Sequence, residues 1–344
     1  MHEKSRFFSN AEREPALTTP ALPDPTVFVP RLLAWFARSA RALPWRENRD
    51  PYRIWLSEIM LQQTRVGTVI SYFNRFVAEL PSVESLAAAD EEMLMRLWSG
   101  LGYYRRMRLL HTCAKRIVGE YGGLFPAETE ELRKLPGIGA YTAGAISSIA
   151  FDRPAPAVDG NVLRVLSRLS AADGWTPAAA QRALVEVYPA GHCGEFTQSM
   201  MELGAIVCLP NGAPRCAECP LADLCRAFRL NRVGDFPRRR EKNTRPVEEL
   251  CVYLLRSGGA VAVRRRPAKG VLAGLWELPN EPAVSAGAPE RFGSVTARRE
   301  ARHLFTHREW RMTVFEISAA RRFAEFEWRN EADLVLPAAF RKLL

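Results

Sequence analysis

Four cysteines in one short stretch constrain this chain more than any other feature of its sequence. They are Cys208, Cys216, Cys219 and Cys225. Thiolates gathered in one compact loop can hold a single metal centre, and both zinc and a 4Fe–4S cluster suit such a donor set. Four unrelated buried cysteines at this density are the weaker interpretation. The spacing alone does not distinguish zinc from the iron–sulfur cluster.

The other cysteines and the length set the broad class. Cys113, Cys193 and Cys251 are scattered, which argues against a disulfide framework and for a reducing compartment. A chain of 344 residues predicts two domains. No apolar run approaches the ~20 residues of a membrane helix. Residues 1–25 read as a flexible tail without the apolar core of a secretory signal, so we expect a cytoplasmic protein, nucleoid-associated in a bacterium.

Apolar periodicity divides the chain into a helical part and a strand-rich part. Residues 26–225 carry helical spacing, with helices predicted at 51–63, 66–79 and 109–121. Residues 248–344 alternate like strands, with a hairpin turn at Gly258-Gly259. Between them, 226–247 is rich in arginine and proline and predicts a basic linker. The net charge of +10 attracts polyanions, although charge alone favours a nucleic-acid partner only weakly.

A glycine-rich turn between two predicted helices is a candidate anion site. Residues 135–139 read Leu-Pro-Gly-Ile-Gly, after a predicted helix at 128–134 and before one at 141–149. Gly137 and Gly139 allow close approach of the backbone to a ligand. The following helix would direct its free N–H groups at a DNA phosphate. The alternative is an ordinary Pro-Gly turn, but the Ala/Gly-rich second helix favours a helix-hairpin-helix.

Two carboxyl groups are candidates for acid and cation-stabilising chemistry. Asp159 precedes a helix, where the dipole and N–H groups keep a carboxylate ionised beside a developing cation. A simple N-cap is compatible with that role. Glu58 has strongly apolar neighbours, and burial would keep it protonated near neutral pH as a general acid. The alternative for Glu58 is a solvent-facing helix position. The sequence does not establish that the two groups meet.

These motifs resemble those of the endonuclease III superfamily, and in particular those of the MutY family of adenine-DNA glycosylases. The signature segments are Pro-Trp-Arg at 44–46, Ser-Glu-Ile-Met-Leu-Gln-Gln-Thr at 57–64, Gly-Leu-Gly-Tyr-Tyr at 100–104 and Phe-Thr-Gln at 196–198. The resemblance extends from about residue 28 to about residue 317. It implies a helical glycosylase domain at 26–225, divided into a six-helix region at about 45–150 and a cluster region at 26–44 plus 151–225. It also implies a 4Fe–4S cluster rather than zinc.

The resemblance implies hydrolysis without strand cleavage. Bifunctional relatives carry a catalytic lysine where this chain has Tyr141. Without that amine, a Schiff-base mechanism lacks its nucleophile. The chain departs from the family pattern at three points. The first cysteine gap has one extra residue, Glu202 stands where many members have Asp, and Thr306 replaces a serine.

The C-terminal part, 248–344, resembles the MutT-like (Nudix-like) α+β domain of the family through Lys-Gly-Val-Leu-Ala-Gly-Leu-Trp-Glu-Leu-Pro at 269–279. The long Glu-rich motif that would bind magnesium does not follow, so a reader of the base opposite adenine is expected rather than a nucleotide hydrolase. By resemblance, Phe305, Thr306 and His307 contact 8-oxoguanine.

The resemblance also assigns roles around the flipped adenine. Glu58 protonates the base, Asp159 stabilises the sugar cation, and Tyr141 and Asn161 support Asp159. The adenine pocket is expected to involve Arg46, Gln198, Trp45 and Leu61, and the wedge at the lesion Gln63 and Tyr103. The implied partner of a monomeric protein is duplex DNA with adenine opposite 8-oxoguanine or guanine. The rival interpretations are a bifunctional endonuclease III and a non-catalytic DNA-binding protein.

Overall fold

The computed structural model describes residues 21–238 and 244–344. The predicted tail is thus outside the described residues as far as residue 20, and so are residues 239–243 of the predicted linker. In the described ranges, no helix is both long and apolar enough to cross a membrane.

The first part of the chain is helical, and its helix ends follow the local sequence. Asp24 and Asp50 accept hydrogen bonds from backbone N–H groups of the helices they precede, each of which has proline at its first position. The helix predicted at 51–63 ends at Leu61, since Gln63 has a positive φ of 58°. The helices are α1 (Pro25–Ser39), α2 (Pro51–Leu61), α3 (Val66–Glu79), α4 (Val83–Ala88), α5 (Glu91–Trp98), α6 (Arg105–Tyr121), α7 (Thr129–Arg133), α8 (Ala140–Phe151), α9 (Gly160–Ser170), α10 (Pro177–Val185), α11 (Cys193–Ile206) and α12 (Arg226–Arg229).

These helices enclose two apolar cores. One contains Trp55, Phe73 and Trp98, and the other contains Phe28 and Phe196 together with the inner faces of α9 and α10. Burying side chains of this size stabilises each core by about 1.5–3 kcal/mol per residue. Helix α11 packs against both α8 and α9, so it joins the two halves. The cavity described below lies where the halves meet.

The beginning of the predicted linker is folded. Helix α12 lies in it, Ala227 is fully buried, and Phe236 is 8% exposed. Arg168 Nε donates to the Phe236 carbonyl at 2.9 Å. The charge and proline content that predicted a linker from residue 226 missed this packing, because the apolar residues of the segment are interspersed with arginines. The helical part therefore continues to at least Phe236.

A mixed sheet forms the C-terminal part, and it confirms the predicted helical-then-α+β fold class. Its strands are β1 (Val247–Ser257), β2 (Ala260–Arg265), β3 (Trp276–Glu277), β4 (Asn280–Pro282), β5 (Gly293–Leu304), β6 (Glu309–Ala319) and β7 (Glu327–Asn330), followed by α13 (Ala338–Arg341). The order is β3-β2-β1-β6-β5, with β1 and β6 parallel. Gly258 and Gly259 have positive φ in the β1–β2 turn, as the predicted hairpin requires.

The sheet domain contacts the helical part through the segment between β2 and β3. Leu275 is 1% exposed and belongs to the core formed by α2, α3, α5 and α6. Arg108 Nη1 donates to the Ala273 carbonyl at 2.8 Å. The loop after β5 also contacts the helical part, because the hydroxyl of Thr306 in this loop lies 2.7 Å from the hydroxyl of Tyr103.

Candidate active site

Glu58 and Asp159 line the same cavity, although they are distant in sequence and belong to different halves of the helical part. The cavity has a volume of about 530 Å³. Glu58 comes from α2 and Asp159 from the start of α9. The juxtaposition that the sequence left open is therefore present, and the cavity gives both carboxyl groups access to one bound molecule.

Glu58 is in an environment that favours its neutral form. Its side chain lies on the inner face of α2 and the residue is 7% exposed. Burial raises its pKa from 4.5 to about 7, and the negative charge of Asp159 adds to the rise. The Tyr141 hydroxyl, which donates to Glu58 Oε2 at 2.7 Å, opposes it, as does the charge of Arg46. A carboxyl group with this pKa can donate a proton near neutral pH.

Asp159 is held in place by two hydrogen-bond donors. As the N-cap of α9, it accepts from the Val162 N–H at 2.8 Å, and the Asn161 side-chain amide donates to its other oxygen at 2.7 Å. Asn161 thus donates to the carboxylate it was predicted to support, and its role in the reaction stays a prediction. The prediction for Tyr141 needs correction, because its hydroxyl bonds to Glu58 and not to Asp159. The tyrosine is the second residue of α8, which packs against α2, and this packing directs its hydroxyl to Glu58.

Glu202 forms a buried ion-pair set that the sequence did not reveal. Its side chain is 1% exposed and accepts from Arg41 Nε at 2.7 Å and from Arg46 Nη2 at 2.9 Å. Burial by itself would raise the pKa of Glu202, but the hydrogen bonds from both arginines outweigh it and lower the pKa to about 2. Arg46 is therefore fixed at the cavity wall. In sequence, Glu202 stood out only as a departure from the family pattern, and Arg41 carried no signal.

Close packing of α11 on the start of α9 holds this wall beside Asp159. A Cβ added to Gly204 would lie 2.5 Å from the Asn161 Cβ, so only glycine permits the contact. The remaining predicted adenine-pocket residues, Trp45, Leu61 and Gln198, also line the cavity.

The two predicted wedge residues share an unusual backbone. Gln63 and Tyr103 both have positive φ, 58° and 49° respectively. Gln63 lines the cavity, whereas Tyr103 lies outside its lining and is 45% exposed. Buried Arg106 links the two segments, since it donates to the Met60 and Gln62 carbonyls and lies 5.2 Å from the Tyr103 ring. Sequence reasoning missed Arg106, because nothing local distinguishes it from neighbouring arginines.

The glycine-rich turn has the geometry of an exposed helix start. Gly137 has φ of 78° and Gly139 is the N-cap of α8, with no side chain over the free N–H groups. Both glycines are exposed. An anion can therefore approach the first turn of α8.

The predicted reader loop joins β5 to β6. Phe305 is half-buried, with its ring 4.6 Å from that of His303 and 4.7 Å from that of Trp310. Thr306 and His307 are exposed, and Thr306 contacts Tyr103. The loop is thus anchored by its aromatic residue, and its two polar side chains are presented beside the wedge.

The four clustered cysteines line one small cavity with apolar walls. Burial raises the pKa of Cys216, Cys219 and Cys225, so bare thiols would remain protonated and only a bound metal would make them thiolates. Within the described ranges, no three such side chains are placed to hold one metal ion. Four cysteine thiolates are the donor set of a 4Fe–4S cluster, in which each binds a different iron, and also of a four-coordinate zinc ion.

A chain of hydrogen bonds runs from this cysteine cavity to Asp159. Arg164 Nε donates to the Cys208 carbonyl at 2.7 Å, and Arg164 Nη2 donates to Asn161 Oδ1 at 2.8 Å. Asn161 in turn donates to Asp159. The orientation of the Asp159 carboxylate is therefore coupled through hydrogen bonds to the loop that begins at Cys208.

Comparison with known proteins defines the class. Residues 56–190 match the HhH-GPD superfamily of base excision DNA repair proteins, and residues 251–344 match the NUDIX domain. Endonuclease III, in a solved non-covalent complex with DNA, has a similar fold with a TM-score of 0.52 and 25% identity, over 60% of this chain and 98% of that chain. The fold and the site define a member of the helix-hairpin-helix base excision repair superfamily.

The closer relatives define the family within that class. An adenine DNA glycosylase of Buchnera aphidicola is 33% identical over 74% of this chain and 73% of the relative. The adenine DNA glycosylase of Mus musculus is 38% identical over 75% of this chain and 61% of the relative. The chain belongs to the adenine DNA glycosylase family, as its motifs predicted. It spans about half to two thirds of the length of the mammalian and plant relatives it matches.

Proposed function

We propose that this protein is a DNA glycosylase that hydrolyses the glycosidic bond of adenine opposite 8-oxoguanine or guanine in duplex DNA, in base excision repair. The observation that carries the proposal is the pair of carboxyl groups in one cavity. Burial favours a neutral Glu58, while Asp159 accepts hydrogen bonds from the Asn161 amide and the Val162 N–H. Such a division between a proton donor and a cation stabiliser is what glycosidic cleavage needs.

The reaction begins with adenine flipped into the cavity, since its glycosidic bond is inaccessible inside the duplex. Glu58 donates a proton to adenine N7. The bonding electrons then pass to the base, which leaves as neutral adenine. The sugar acquires oxocarbenium character, which the Asp159 carboxylate stabilises, either through charge alone or through a transient covalent bond. Water, deprotonated by the Glu58 carboxylate, adds to the sugar and leaves an abasic site.

The chemistry stops at hydrolysis because α8 offers no amine to the sugar. Tyr141 occupies the position and donates a hydrogen bond to Glu58 Oε2. It holds the acid in place and lacks the nucleophilic nitrogen that a Schiff base requires. We therefore expect weak or absent strand cleavage.

The cavity wall recognises the base. Arg46, fixed by Glu202, and the Gln198 amide hold the polar edge of adenine, while Trp45 and Leu61 contact its faces. A planar base between apolar side chains with a few fixed polar groups is a usual arrangement for such a site.

The surface around the cavity binds the duplex. The first turn of α8, behind Gly137 and Gly139, takes a phosphate. Gln63 and Tyr103 fill the space left by the flipped base. The reader loop, with Phe305, Thr306 and His307, contacts the opposite base, and the contact of Thr306 with Tyr103 supports a joint role of the loop and the wedge. The protein acts as a monomer in this proposal.

The remaining parts support this binding. We propose that the four cysteines hold a 4Fe–4S cluster, which would supply a rigid covalent anchor for the loop that contains them. Broad absorption near 400 nm in the purified protein tests this assignment. In this proposal the chain consists of a helical glycosylase domain, a basic linker that begins after Phe236, and an 8-oxoguanine reader domain.

Alkali cleavage of an adenine:8-oxoguanine duplex tests the function. The wild type should create alkali-labile sites at the adenine, and Glu58→Gln should bind the duplex without creating them. Glu79→Gln is the matched control, because Glu79 is exposed at the end of α3. No alkali-labile sites with wild type, or full single-turnover excision by Glu58→Gln, would refute the proposal.

A further inference from the structure

A second cavity adjoins the one that contains Glu58 and Asp159. Its volume is about 1180 Å³, and we call it the rear groove. Its lining includes neither catalytic carboxyl group, but six residues line both cavities and form the wall between them. These are Arg41, Leu43, Trp45, Arg46, Ile149 and Gln198. The two cavities therefore share a wall.

The far side of the rear groove suits a small planar molecule. Leu33, Phe36, Ala37 and Ala40 of α1 and the residue after it provide an apolar side, and Ala37 and Ala40 are exposed at its edge. Polar side chains of the 41–49 segment and of the start of α11 form the rim. An apolar surface with a polar rim matches the chemistry of a neutral purine.

One side chain of the separating wall is held by a single long hydrogen bond. The Gln198 amide donates to the Gly194 carbonyl at 3.4 Å, the long end of hydrogen bonding. The guanidinium of Arg46 faces both cavities, since it pairs with Glu202 and lies 5.4 Å from the Phe36 ring. Displacing the Gln198 side chain would open this part of the wall without breaking the buried ion pair.

The proposed reaction creates a need for such a connection. This step rests on the proposed function. A flipped nucleotide enters with its sugar and phosphates across the DNA-side opening of the cavity. After the glycosidic bond breaks, the abasic sugar still covers that opening, and free adenine lies behind it. While the DNA stays bound, the shared wall offers the base a route away from the sugar.

We propose that the rear groove is the exit path for free adenine, with Gln198 as its gate. Adenine then leaves while the abasic DNA remains bound to the protein. The groove also keeps the departed base from recombining with the sugar, because the base moves away from Asp159 before the DNA dissociates.

Blocking the groove tests the proposal. Ala37→Trp places a large side chain into the groove from an exposed position of α1, and Ala34→Trp is the matched control, exposed on the same helix outside both linings. Duplex with radiolabelled adenine opposite 8-oxoguanine is incubated with excess full-length protein. Each sample is then divided. One half is passed through a rapid desalting column to separate free adenine from the complex, and the other is treated with alkali to count excised bases.

In the wild type and in Ala34→Trp, free adenine should appear as fast as alkali-labile sites form. In Ala37→Trp, the alkali-labile sites should form at an unchanged rate, while adenine should leave the complex at least tenfold more slowly. If Ala37→Trp does not fold, Ala40→Trp takes its place with the same expectation.

Two results would overturn the exit path. One is a wild type that retains adenine until the abasic DNA dissociates. The other is a blocked variant that releases adenine as fast as the control. Absence of alkali-labile sites in the wild type would instead contradict the proposed function, so the two failures are distinguishable.

Discussion

The pKa of Glu58 makes the pH dependence of adenine excision a quantitative test. A rise from 4.5 to about 7 corresponds to about 3 kcal/mol of preference for the neutral form. At pH 7.5, about a quarter of the molecules would then carry the proton, against about one in a thousand with an unshifted carboxyl group. Burial of Glu58 thus increases the proton-donating fraction by about two orders of magnitude.

The perturbation that tests this reasoning is Tyr141→Phe. The Tyr141 hydroxyl donates to Glu58 Oε2 at 2.7 Å and so favours the charged carboxylate. Its removal should raise the pKa of Glu58 further. The decline of excision at alkaline pH should then begin at a higher pH than in the wild type, whose rate should fall about tenfold per pH unit above its pKa.

Single-turnover excision rates between pH 5.5 and 9 provide the assay. Tyr188→Phe is the matched control, because Tyr188 is a largely buried tyrosine whose hydroxyl contacts Thr197 rather than Glu58. Its alkaline limb should coincide with that of the wild type. An alkaline limb in Tyr141→Phe that stays in place or moves to lower pH would refute the assignment of the limb to Glu58.

Three further predictions concern stability, packing and specificity. The folded state raises the pKa of Glu58, so the stabilising contribution of this residue is complete below pH 4.5 and lost as pH rises through about 7. Glu58→Gln should therefore raise the thermal midpoint relative to wild type at pH 8 but much less at pH 5. An equal difference at both pH values would contradict this. Gly204→Ala should slow excision at least tenfold, because the added Cβ would displace Asn161 from Asp159, while the far-ultraviolet circular dichroism of the variant should match that of the wild type. A wild-type rate of excision would exclude the coupling between Gly204 and Asp159. Thr306→Val removes the hydroxyl that contacts Tyr103 and should reduce the preference for 8-oxoguanine over guanine, as the ratio of excision rates on the two duplexes will show.

Local chemistry made much of the fold and the site predictable. Asp159 precedes an apolar helix face, and the carboxylate caps α9. Glu58 is surrounded in sequence by apolar residues, and it is buried. The four cysteines are neighbours along the chain, so their convergence in one loop needs no long-range pairing. The family motifs supplied the pairing of the two carboxyl groups.

Contacts between distant segments could not be predicted. Arg41 and Arg46 meet Glu202 only because α11 packs beside the segment after α1, and no local pattern encodes that meeting. The partner of Tyr141 depends in the same way on the packing of α8 against α2. Phe236 is a further example, since this apolar residue of a basic segment is buried and its carbonyl accepts a hydrogen bond from Arg168 of the helical part.

The central claim is that Glu58 transfers a proton to N7 of adenine. The most direct measurement uses a duplex in which 7-deazaadenine, which has carbon in place of N7, lies opposite 8-oxoguanine. The protein should bind this duplex as tightly as the adenine duplex and excise no base in a single turnover. Excision of 7-deazaadenine at a rate near that of adenine would contradict the claim.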